Sequence, residues 1–289
     1  YFKSRISQIL IFILSFFNLK KILKKENPNF LIAHLIISLP LLLFSIFDFK
    51  TKLIIRISGT PKLNFIRRFF WSILSTNVYK VTCPTFSTYN KLVNLKIFPA
   101  NKIEILFDPV LSIKEIIIKK KEPIDKRFEK EKFILGIGRL SRQKNFELLI
   151  RAFGQIALND QEIKLLIIGE GEERAKLQKL IKDLKLKEKA FLLGYKQNIF
   201  NYLDKAMCFV CSSFYEDPGF VLIEAAFLNK IVFAADSNTG PSEILDNSSR
   251  GFLFRNNNHG DLVKKYNEFN QFEIKHWDTK RLKLKKYSK

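Results

Sequence analysis

The sequence predicts an α/β protein of two domains, each built on a parallel β-sheet covered by helices. From residue 133 onward, short apolar runs such as FILGI (133–137) and IVFAAD (231–236) alternate with longer amphipathic stretches. Strands that are apolar along their whole length are typical of parallel sheets buried on both faces. The same alternation recurs, less completely, in the first 110 residues. The length of 289 residues also suits two domains better than one.

The pattern in the second half predicts six strands and five helices. The strands are predicted at 133–137, 163–169, 190–194, 207–211, 231–236 and 251–254. The helices are predicted at 145–158, 172–186, 198–206, 221–229 and 241–247. Within 172–186, Ala175, Leu177, Leu180, Ile181 and Leu184 recur at helical spacing, which indicates one apolar face.

The first half predicts four strands, at 30–34, 52–57, 79–83 and 102–106, and helices around 39–49, 62–76 and 85–95. The run FLIAHLIISLPLLLFSIF (30–47) has the bare length of a membrane span, but His34 and Pro40 interrupt it. We therefore interpret it as a strand, a turn and a helix that Pro40 opens near its first turn. The run ILIFILSFF (9–17) is too short to span a bilayer.

A charged segment separates the two halves. KKKEPIDKRFEKEK (119–132) has the composition of a solvated connection. We predict a first domain at 1–112, a linker at 113–131, a second domain at 132–270 and a Lys-rich tail or helix at 271–289. The only methionine is Met207, so we expect the first domain to be truncated at its N-terminus.

The chain is strongly basic, with 50 Lys and Arg against 28 Asp and Glu and a formal net charge of +22. Such a charge favours anionic partners: nucleic acid, an acidic membrane surface or a phosphorylated substrate. A coding bias toward Lys, Ile, Asn and Phe is an alternative explanation of the surplus of basic residues.

The three cysteines do not form a disulfide framework, which fits a reducing cytosol. Cys208 and Cys211 have the spacing of a redox or metal pair, but they lie in the apolar run MCFVC. Residues three apart on a strand point to opposite faces, and no second pair completes a zinc site. We therefore predict a core role for both and no metal.

The stretch GIGRLSRQKNFELL (136–149) follows a predicted strand and leads into a helix. Gly138 lets the backbone approach a ligand closely, and the helix start near Asn145 offers free N–H groups to an anion. Arg139 and Lys144 add two cations, which predicts a diphosphate site without a metal. The stretch matches neither the P-loop nor the dinucleotide fingerprint. A capped helix with surface cations is the alternative.

The stretch SSFYEDPGFVLIEAAF (212–227) places Glu216 in a loop and Glu224 on the helix that follows Gly219. Two carboxylates at this spacing sit at different depths and do not share a proton. Each can accept hydrogen bonds from hydroxyl pairs such as those of a ribose or a sugar. A further loop-to-helix junction, NTGPSEIL (238–245), contains Gly240 and Glu243. A helix cap explains it as well as a ligand contact does.

These blocks, in their order, resemble the group 1 (GT4-type) glycosyltransferases. The resemblance rests on GRLSRQKNFELLIRAF, LLIIGEGEERAKLQKLI, FLLGY, EDPGFVLIEAA, TGPSEIL and GFLF, and it covers 131–258 strongly. It extends weakly to 28–110, through PNFLIAHL, LIIRISGTPK and IEILFDPV. It implies the GT-B fold, in which two Rossmann-like domains with parallel sheets face a cleft. The first domain would then be the acceptor side and the second would bind the nucleotide-sugar.

The resemblance also implies an activity and a set of roles. The activity is a hexosyltransferase-type transfer from a nucleotide diphosphate-sugar, with retention at the anomeric carbon and without a cofactor or metal. Glu216 would be the catalytic carboxylate on the donor sugar, and Glu224 would bind the ribose. The remaining donor contacts would come from Arg139, Lys144, Gly138, Gly219 and Phe220, with Tyr195, Asn198, Gly240 and His34 as weaker candidates.

The chain departs from the family pattern in three places. Glu216 is followed by Asp-Pro-Gly rather than Gly-Phe-Gly, a variant similar to enzymes that build bacterial surface polysaccharides. RISGTPK (56–62) stands where many members carry an acceptor-side histidine. The first strand and its Gly-rich loop are missing. A truncated chain of this kind is expected to bind donor and turn over poorly.

The resemblance and the charge together predict a lipid-linked or saccharide acceptor and peripheral association with an anionic membrane. We expect a cytoplasmic protein at the inner face of the plasma membrane that does not bind nucleic acid. A nucleotide-sugar epimerase on the same fold and a basic nucleic-acid-binding protein are the alternatives. Epimer formation without acceptor would favour the first, and a steep salt dependence of oligonucleotide binding the second.

Overall fold

The computed structural model describes residues 2–59, 61, 63–108, 111–237, 239–246 and 251–271. The chain divides into two compact units, residues 1–108 and residues 109–289. Each unit is an α/β structure with one parallel sheet, as the sequence predicts.

The first unit has a four-stranded sheet in the order β1-β2-β3-β4, with every pair parallel. Its elements are α1 (Phe2–Glu26), β1 (Phe30–His34), α2 (Ser38–Ile46), β2 (Lys52–Arg56), α3 (Phe65–Leu74), β3 (Val78–Cys83), α4 (Phe86–Leu95) and β4 (Ile103–Ile105). The core lies between the helices and the sheet and includes Leu41, Leu53, Ile55 and Val81, each no more than 1% exposed. The apolar run at 30–47 is therefore a strand, a turn and a helix, as predicted.

None of the helices within the described ranges is both long enough and apolar enough to cross a membrane. The helix α1 was not predicted, because the apolar residues at 9–17 form a continuous run rather than a stripe at helical spacing.

The second unit has a six-stranded sheet in the order β10-β9-β8-β5-β6-β7, again with every pair parallel. Its strands are β5 (Phe133–Ile137), β6 (Lys164–Ile168), β7 (Ala190–Leu192), β8 (Cys208–Cys211), β9 (Ile231–Asp236) and β10 (Phe252–Arg255). Its helices are α5 (Ile113–Lys119), α6 (Phe146–Asn159), α7 (Arg174–Asp183), α8 (Phe200–Lys205), α9 (Phe220–Phe227), α10 (Gly240–Ile244) and α11 (His259–Gln271). Every strand and helix predicted in this half is present, with bounds that agree or differ by a few residues.

Helices cover both faces of this sheet. One core contains Ile134 with residues of α6, α7 and α11, such as Phe153. The other contains Phe133 and Leu135 with residues of α5, α8, α9 and α10, such as Leu222. Because neighbouring residues of β5 enter opposite cores, the whole strand must be apolar, which explains its sequence.

The segment at 113–131, which the charge pattern predicts to be a linker, packs on the second unit. It contains α5 and a short 3₁₀ turn at Lys126–Phe128. Ile116 and Phe128 are 1% and 3% exposed and belong to the core of the second unit. Its charged residues lie between these apolar anchors. The tail predicted at 271–289 lies outside the described residues, apart from Gln271 at the end of α11.

Candidate functional site

The strand order of the second unit places a crevice beside β5 and β8. The chain builds β5, β6 and β7 in one direction and then returns to place β8 on the other side of β5. Loops that leave the carboxyl ends of two such strands diverge, and ligands of open α/β sheets bind in the crevice between them. The loops in question are residues 138–145 after β5 and 212–219 after β8. Both are stretches that the sequence singles out.

The loop after β5 is held close to the neighbouring strand by glycines. The Gly138 N–H donates to the Ile168 carbonyl at 3.0 Å, and the Leu140 N–H donates to the Glu170 carbonyl at 2.9 Å. A Cβ on Gly169, whose φ is +145°, would lie 1.9 Å from the Gly138 carbonyl oxygen. The loop then forms a 3₁₀ turn at Arg142–Lys144, and α6 begins at Phe146, as predicted.

Three hydrogen bonds join the two loops. The Ser212 hydroxyl donates to the Lys144 carbonyl at 2.8 Å. The Phe214 N–H donates to the Gln143 carbonyl at 2.9 Å, and the Gln143 amide donates to the Tyr215 carbonyl at 3.1 Å. These contacts fix the turn that carries Lys144 against the loop that carries Glu216. The roles of Ser212 and Gln143 were not predicted, because nothing in their local sequence distinguishes them from ordinary loop residues.

The centre of the site is an ion pair between Lys144 and Glu216. The Lys144 Nζ donates to the Glu216 Oε1, and the Ser213 hydroxyl donates to the same oxygen at 2.7 Å. The two charged side chains are 23% and 12% exposed. Among the residues that the structure describes, Glu216 Oε2 has no hydrogen-bond partner. The carboxylate is therefore fixed by one oxygen and has the other available.

The loop that carries Glu216 ends at Gly219, which adopts a left-handed conformation with φ 91° just before α9. A Cβ at this position would lie 2.8 Å from Leu222, so the turn into the helix requires glycine. Phe220, the first residue of α9, is 43% exposed. The Asp217–Pro218 peptide bond in this loop is cis.

Gly240 contacts the backbone of the loop that carries Glu216. Its N–H donates to the Glu216 carbonyl at 3.2 Å, and a Cβ on it would lie 2.1 Å from the Pro218 carbonyl oxygen. The junction at 239–245 therefore packs against the Glu216 loop, and Gly240 provides the space for that contact.

Glu224 lies in the second turn of α9 and is partly buried. Burial raises the pKa of its carboxyl above the ordinary value. In the part of the chain that the structure describes, its side chain has no hydrogen-bond or ion-pair partner. A desolvated carboxylate without a donor is unfavourable unless a ligand supplies one.

Arg139 is exposed on the loop after β5, and no carboxylate of the described residues pairs with it. The second unit therefore brings Gly138, Arg139 and Lys144 onto one loop and sets Glu216 against it. This assembly is the candidate site.

The other weaker candidates, Tyr195, Asn198 and His34, lie on other parts of the chain. Tyr195 is 75% exposed in the loop after β7. Asn198 donates to the Lys119 carbonyl at 2.9 Å and to Glu122 at 2.8 Å, and its Oδ1 accepts from the Phe200 N–H at 2.9 Å. Its amide thus ties the 113–122 segment to α8. His34 is exposed at the end of β1, in the first unit, paired in register with Arg56.

The two cysteines of the CxxC pair lie on β8, and Cys208 is fully buried. Burial raises the pKa of the Cys208 thiol, and burial together with the nearby Glu216 charge raises that of Cys211 to about 11. Both thiols are therefore protonated at neutral pH, and a thiol is a poor nucleophile and metal ligand.

Comparison with known proteins identifies the family of this chain. The family described as "Glycosyl transferases group 1" matches residues 117–289. A transferase from Campylobacter jejuni, named N-acetylgalactosamine-N,N'-diacetylbacillosaminyl-diphospho-undecaprenol 4-alpha-N-acetylgalactosaminyltransferase, is 31% identical over 231 residues. That match covers 77% of this chain and 61% of the relative. The poly(ribitol-phosphate) alpha-N-acetylglucosaminyltransferase of Staphylococcus aureus is 33% identical over 140 residues, 48% of this chain and 28% of that one. The chain thus spans less than two thirds of the length of these relatives.

Solved structures show the same fold. The crystal structure of Anabaena HepE in complex with UDP matches with a TM-score of 0.76 at 16% identity, and covers 93% of this chain and 76% of that one. The structural neighbours are GT-B glycosyltransferases, so the fold predicted from the sequence is confirmed. Since the family match spans more than half of the residues, this chain belongs to the group 1 glycosyl transferases.

Proposed function

We propose that this chain belongs to a glycosyltransferase that moves a sugar from a nucleotide diphosphate-sugar to a lipid-linked or saccharide acceptor, with retention of anomeric configuration. The observation that carries the proposal is the Lys144–Glu216 pair, held between two loops at the topological switch point. A cation and a carboxylate at one point suit a ligand that has both a phosphate and hydroxyl groups.

The donor diphosphate binds at the loop after β5. Arg139 offers a planar fork of N–H donors, and Lys144 offers a compact ammonium with three protons. One of those protons is directed to Glu216, which leaves others for phosphate oxygens. These two cations neutralise charge that other enzymes neutralise with a divalent metal, so no metal is required in this proposal.

The carboxylates bind hydroxyl groups of the same ligand. Glu216 Oε1 is occupied by Lys144 and Ser213, so Oε2 accepts a hydrogen bond from the donor sugar. Glu224 accepts from the ribose hydroxyls, which supply the donors that its partly buried carboxylate lacks. The ligand comes close to the backbone of the two loops at Gly138, Gly219 and Phe220.

The chemical step breaks the bond between the anomeric carbon and the diphosphate oxygen. The acceptor hydroxyl oxygen forms the new bond, and its proton passes to the departing diphosphate oxygen. Negative charge grows on the departing nucleoside diphosphate during this step. Fixed cations placed where that charge develops stabilise the transition state more than the ground state. We therefore assign leaving-group stabilisation to Arg139 and Lys144, and placement of the donor sugar to Glu216.

The relatives and the charge of the chain both support an anionic acceptor. The names of the relatives describe a diphospho-undecaprenol and a poly(ribitol-phosphate) acceptor. Both are anionic, and this chain has a net charge of +22. We propose a cytoplasmic protein that associates peripherally with an anionic membrane. The family membership favours transfer over epimerisation and over nucleic-acid binding.

Calorimetric titration with UDP, GDP and ADP tests the donor site. We expect one nucleotide to bind more tightly than the others and to lose about tenfold or more in affinity with Arg139→Ala, because each charge-assisted hydrogen bond contributes about 1.5–3 kcal/mol. Glu224→Ala should weaken binding of the same nucleotide. Lys182→Ala, an exposed lysine on α7, is the matched control and should bind as the wild type does. A folded chain that binds none of the three nucleotides would contradict the proposal.

A further inference from the structure

Helix α3 presents its apolar face to the outside of the first unit. Phe65, Ile66, Phe69, Phe70 and Ile73 are 85%, 64%, 56%, 54% and 53% exposed. At about 100° per residue, these five side chains occupy one arc of about 140° on the helix. Exposed apolar residues are ordinary when they are scattered, but a contiguous set on one face marks an interaction surface.

The opposite side of α3 holds it in place. Trp71 is 6% exposed, and its indole N–H donates to the Ser38 hydroxyl of α2 at 2.9 Å. Arg68 donates to the Leu95 carbonyl at the end of α4 at 2.8 Å, and the Asn64 side chain caps the first turn by accepting from the Arg67 N–H at 2.8 Å. The helix is thus anchored by its polar residues and one Trp, and its outward face is the apolar one.

Charge identifies the partner. Between residues 49 and 103 the sequence contains ten Lys and Arg and no Asp or Glu. Arg67 is exposed on the flank of the apolar arc. A second copy of this surface would bring like charges together, whereas an anionic bilayer offers phosphates to the cations and acyl chains to the phenylalanines.

We propose that α3 is a membrane-docking helix that lies in the plane of an anionic lipid surface. Its outward face of Phe65, Ile66, Phe69, Phe70 and Ile73 enters the boundary of the acyl region, and Arg67 stays at the level of the phosphates. The inference deepens the proposed function, since a lipid-linked acceptor is reached only at a bilayer.

Flotation with lipid vesicles tests the proposal. The full chain is mixed with vesicles of phosphatidylcholine alone or of phosphatidylcholine with phosphatidylglycerol. We expect binding to both kinds, and tighter binding to the second. The double variant Phe65→Gln/Phe69→Gln should lose about tenfold or more in vesicle affinity for each phenylalanine, because burial of each side chain in an apolar phase is worth about that factor. Leu158→Gln, an equivalent change at a 74% exposed position on α6, should leave vesicle binding unchanged.

Two further measurements separate the apolar contribution to vesicle binding from the electrostatic one. Arg67→Gln should weaken binding only to the anionic vesicles, and added salt should weaken binding without abolishing it, because apolar insertion is not screened. Binding that salt abolishes and that Phe65→Gln/Phe69→Gln leaves unchanged would assign attachment to surface lysines and overturn the proposal. Self-association that the double variant breaks, without vesicle binding by the wild type, would show that the face contacts a second copy and would also overturn it.

Nucleotide titration of the same variants keeps this proposal distinct from the proposed function. The double variant lies in the first unit and should bind nucleotide as the wild type does. Loss of vesicle binding with unchanged nucleotide binding supports the docking role of α3. Vesicle binding through α3 by a chain that binds no nucleotide would support the docking helix and contradict the donor site.

Discussion

Glu216 and Glu224 are eight positions apart in the sequence but have opposite environments. Glu216 accepts from Lys144 and Ser213 through a single oxygen. Glu224 is partly buried, and burial raises the pKa of its carboxyl. Lys144 therefore compensates the charge of Glu216 in the free protein, whereas the charge of Glu224 carries a desolvation cost.

The first prediction follows from that cost. The pKa of Glu224 in the folded state lies above its ordinary value of 4.5, so the folded chain binds this proton more tightly than the unfolded chain does. The free energy of unfolding must then fall as pH rises from the ordinary value through the raised one. Glu224→Gln removes this loss and should stabilise the chain at neutral pH, by on the order of 1 kcal/mol.

Urea unfolding of both proteins at neutral pH and at about pH 4 provides the measurement. Most of the gain from Glu224→Gln should be lost at the lower pH, because the carboxyl of the wild type is then mostly protonated in both states. An equal gain at both values would assign the effect to hydrogen bonds of the new amide rather than to desolvation of the carboxylate.

The second prediction concerns Ser213 as a positioning residue. Ser213→Ala removes one of the two donors to Glu216 Oε1 and leaves the carboxylate free to turn about the Lys144 contact. A hydrogen bond of this kind is worth about 0.5–1.5 kcal/mol, or roughly a two- to tenfold change in affinity. Affinity for a nucleotide diphosphate-sugar should fall by this factor, while affinity for the nucleotide diphosphate alone should hold. Ser213→Thr keeps the hydroxyl and serves as the control; equal losses for both ligands would argue against a role at the sugar.

At the scale of elements, the loop after β6 lies close to the loop after β5 because Gly169 has no side chain. A Cβ at Gly169 would lie 1.9 Å from the Gly138 carbonyl oxygen, and the φ of +145° disfavours any other residue. Gly169→Ala should therefore lower the free energy of unfolding by about 1–3 kcal/mol and weaken nucleotide binding. The reason for the second effect is that the displaced loop carries Arg139 and Lys144.

Gly154→Ala is the matched control within the same unit. A Cβ at Gly154, on α6, meets only side-chain atoms at 3.6 Å or more. Removal of a helical glycine should stabilise the chain by up to about 1 kcal/mol. Thermal unfolding of the two variants measures both effects. If Gly169→Ala were as well tolerated as Gly154→Ala, the loop would not be held in the observed geometry.

The elements also show which signals the sequence contained. Strands such as β5 and β9 were predicted with their observed bounds, since burial on both faces leaves a continuous apolar run. The helix α11 was missed, although Leu262, Tyr266 and Phe269 follow helical spacing and belong to one core, in which Tyr266 and Phe269 pack against Phe233. The packing of α5 was missed because a few apolar anchors, such as Ile116, lie among many charges. The contact of Lys144 with Glu216 depends on strand order, which no local pattern encodes.

Across the whole molecule, the net charge is distributed unevenly between the two units. Residues 1–108 contain 16 Lys and Arg against 4 Asp and Glu, a net charge of +12. The first unit thus has more than half of the net charge in little more than a third of the chain. This asymmetry is expected if the first unit faces an anionic surface and the second unit binds a soluble donor.

The division into two units, each with its own core, predicts that the chain unfolds in two transitions. A nucleotide bound only by the second unit should stabilise one of them, by about 2.7 kcal/mol at a hundred times the dissociation constant. Trp71 is buried in the core of the first unit, so in a Trp277→Phe background its fluorescence reports that unit alone. We expect urea titration with saturating nucleotide to leave the Trp71 midpoint unchanged and to raise the midpoint of the other transition seen by circular dichroism. A Trp71 midpoint that shifts by the same amount would mean that the two units unfold together.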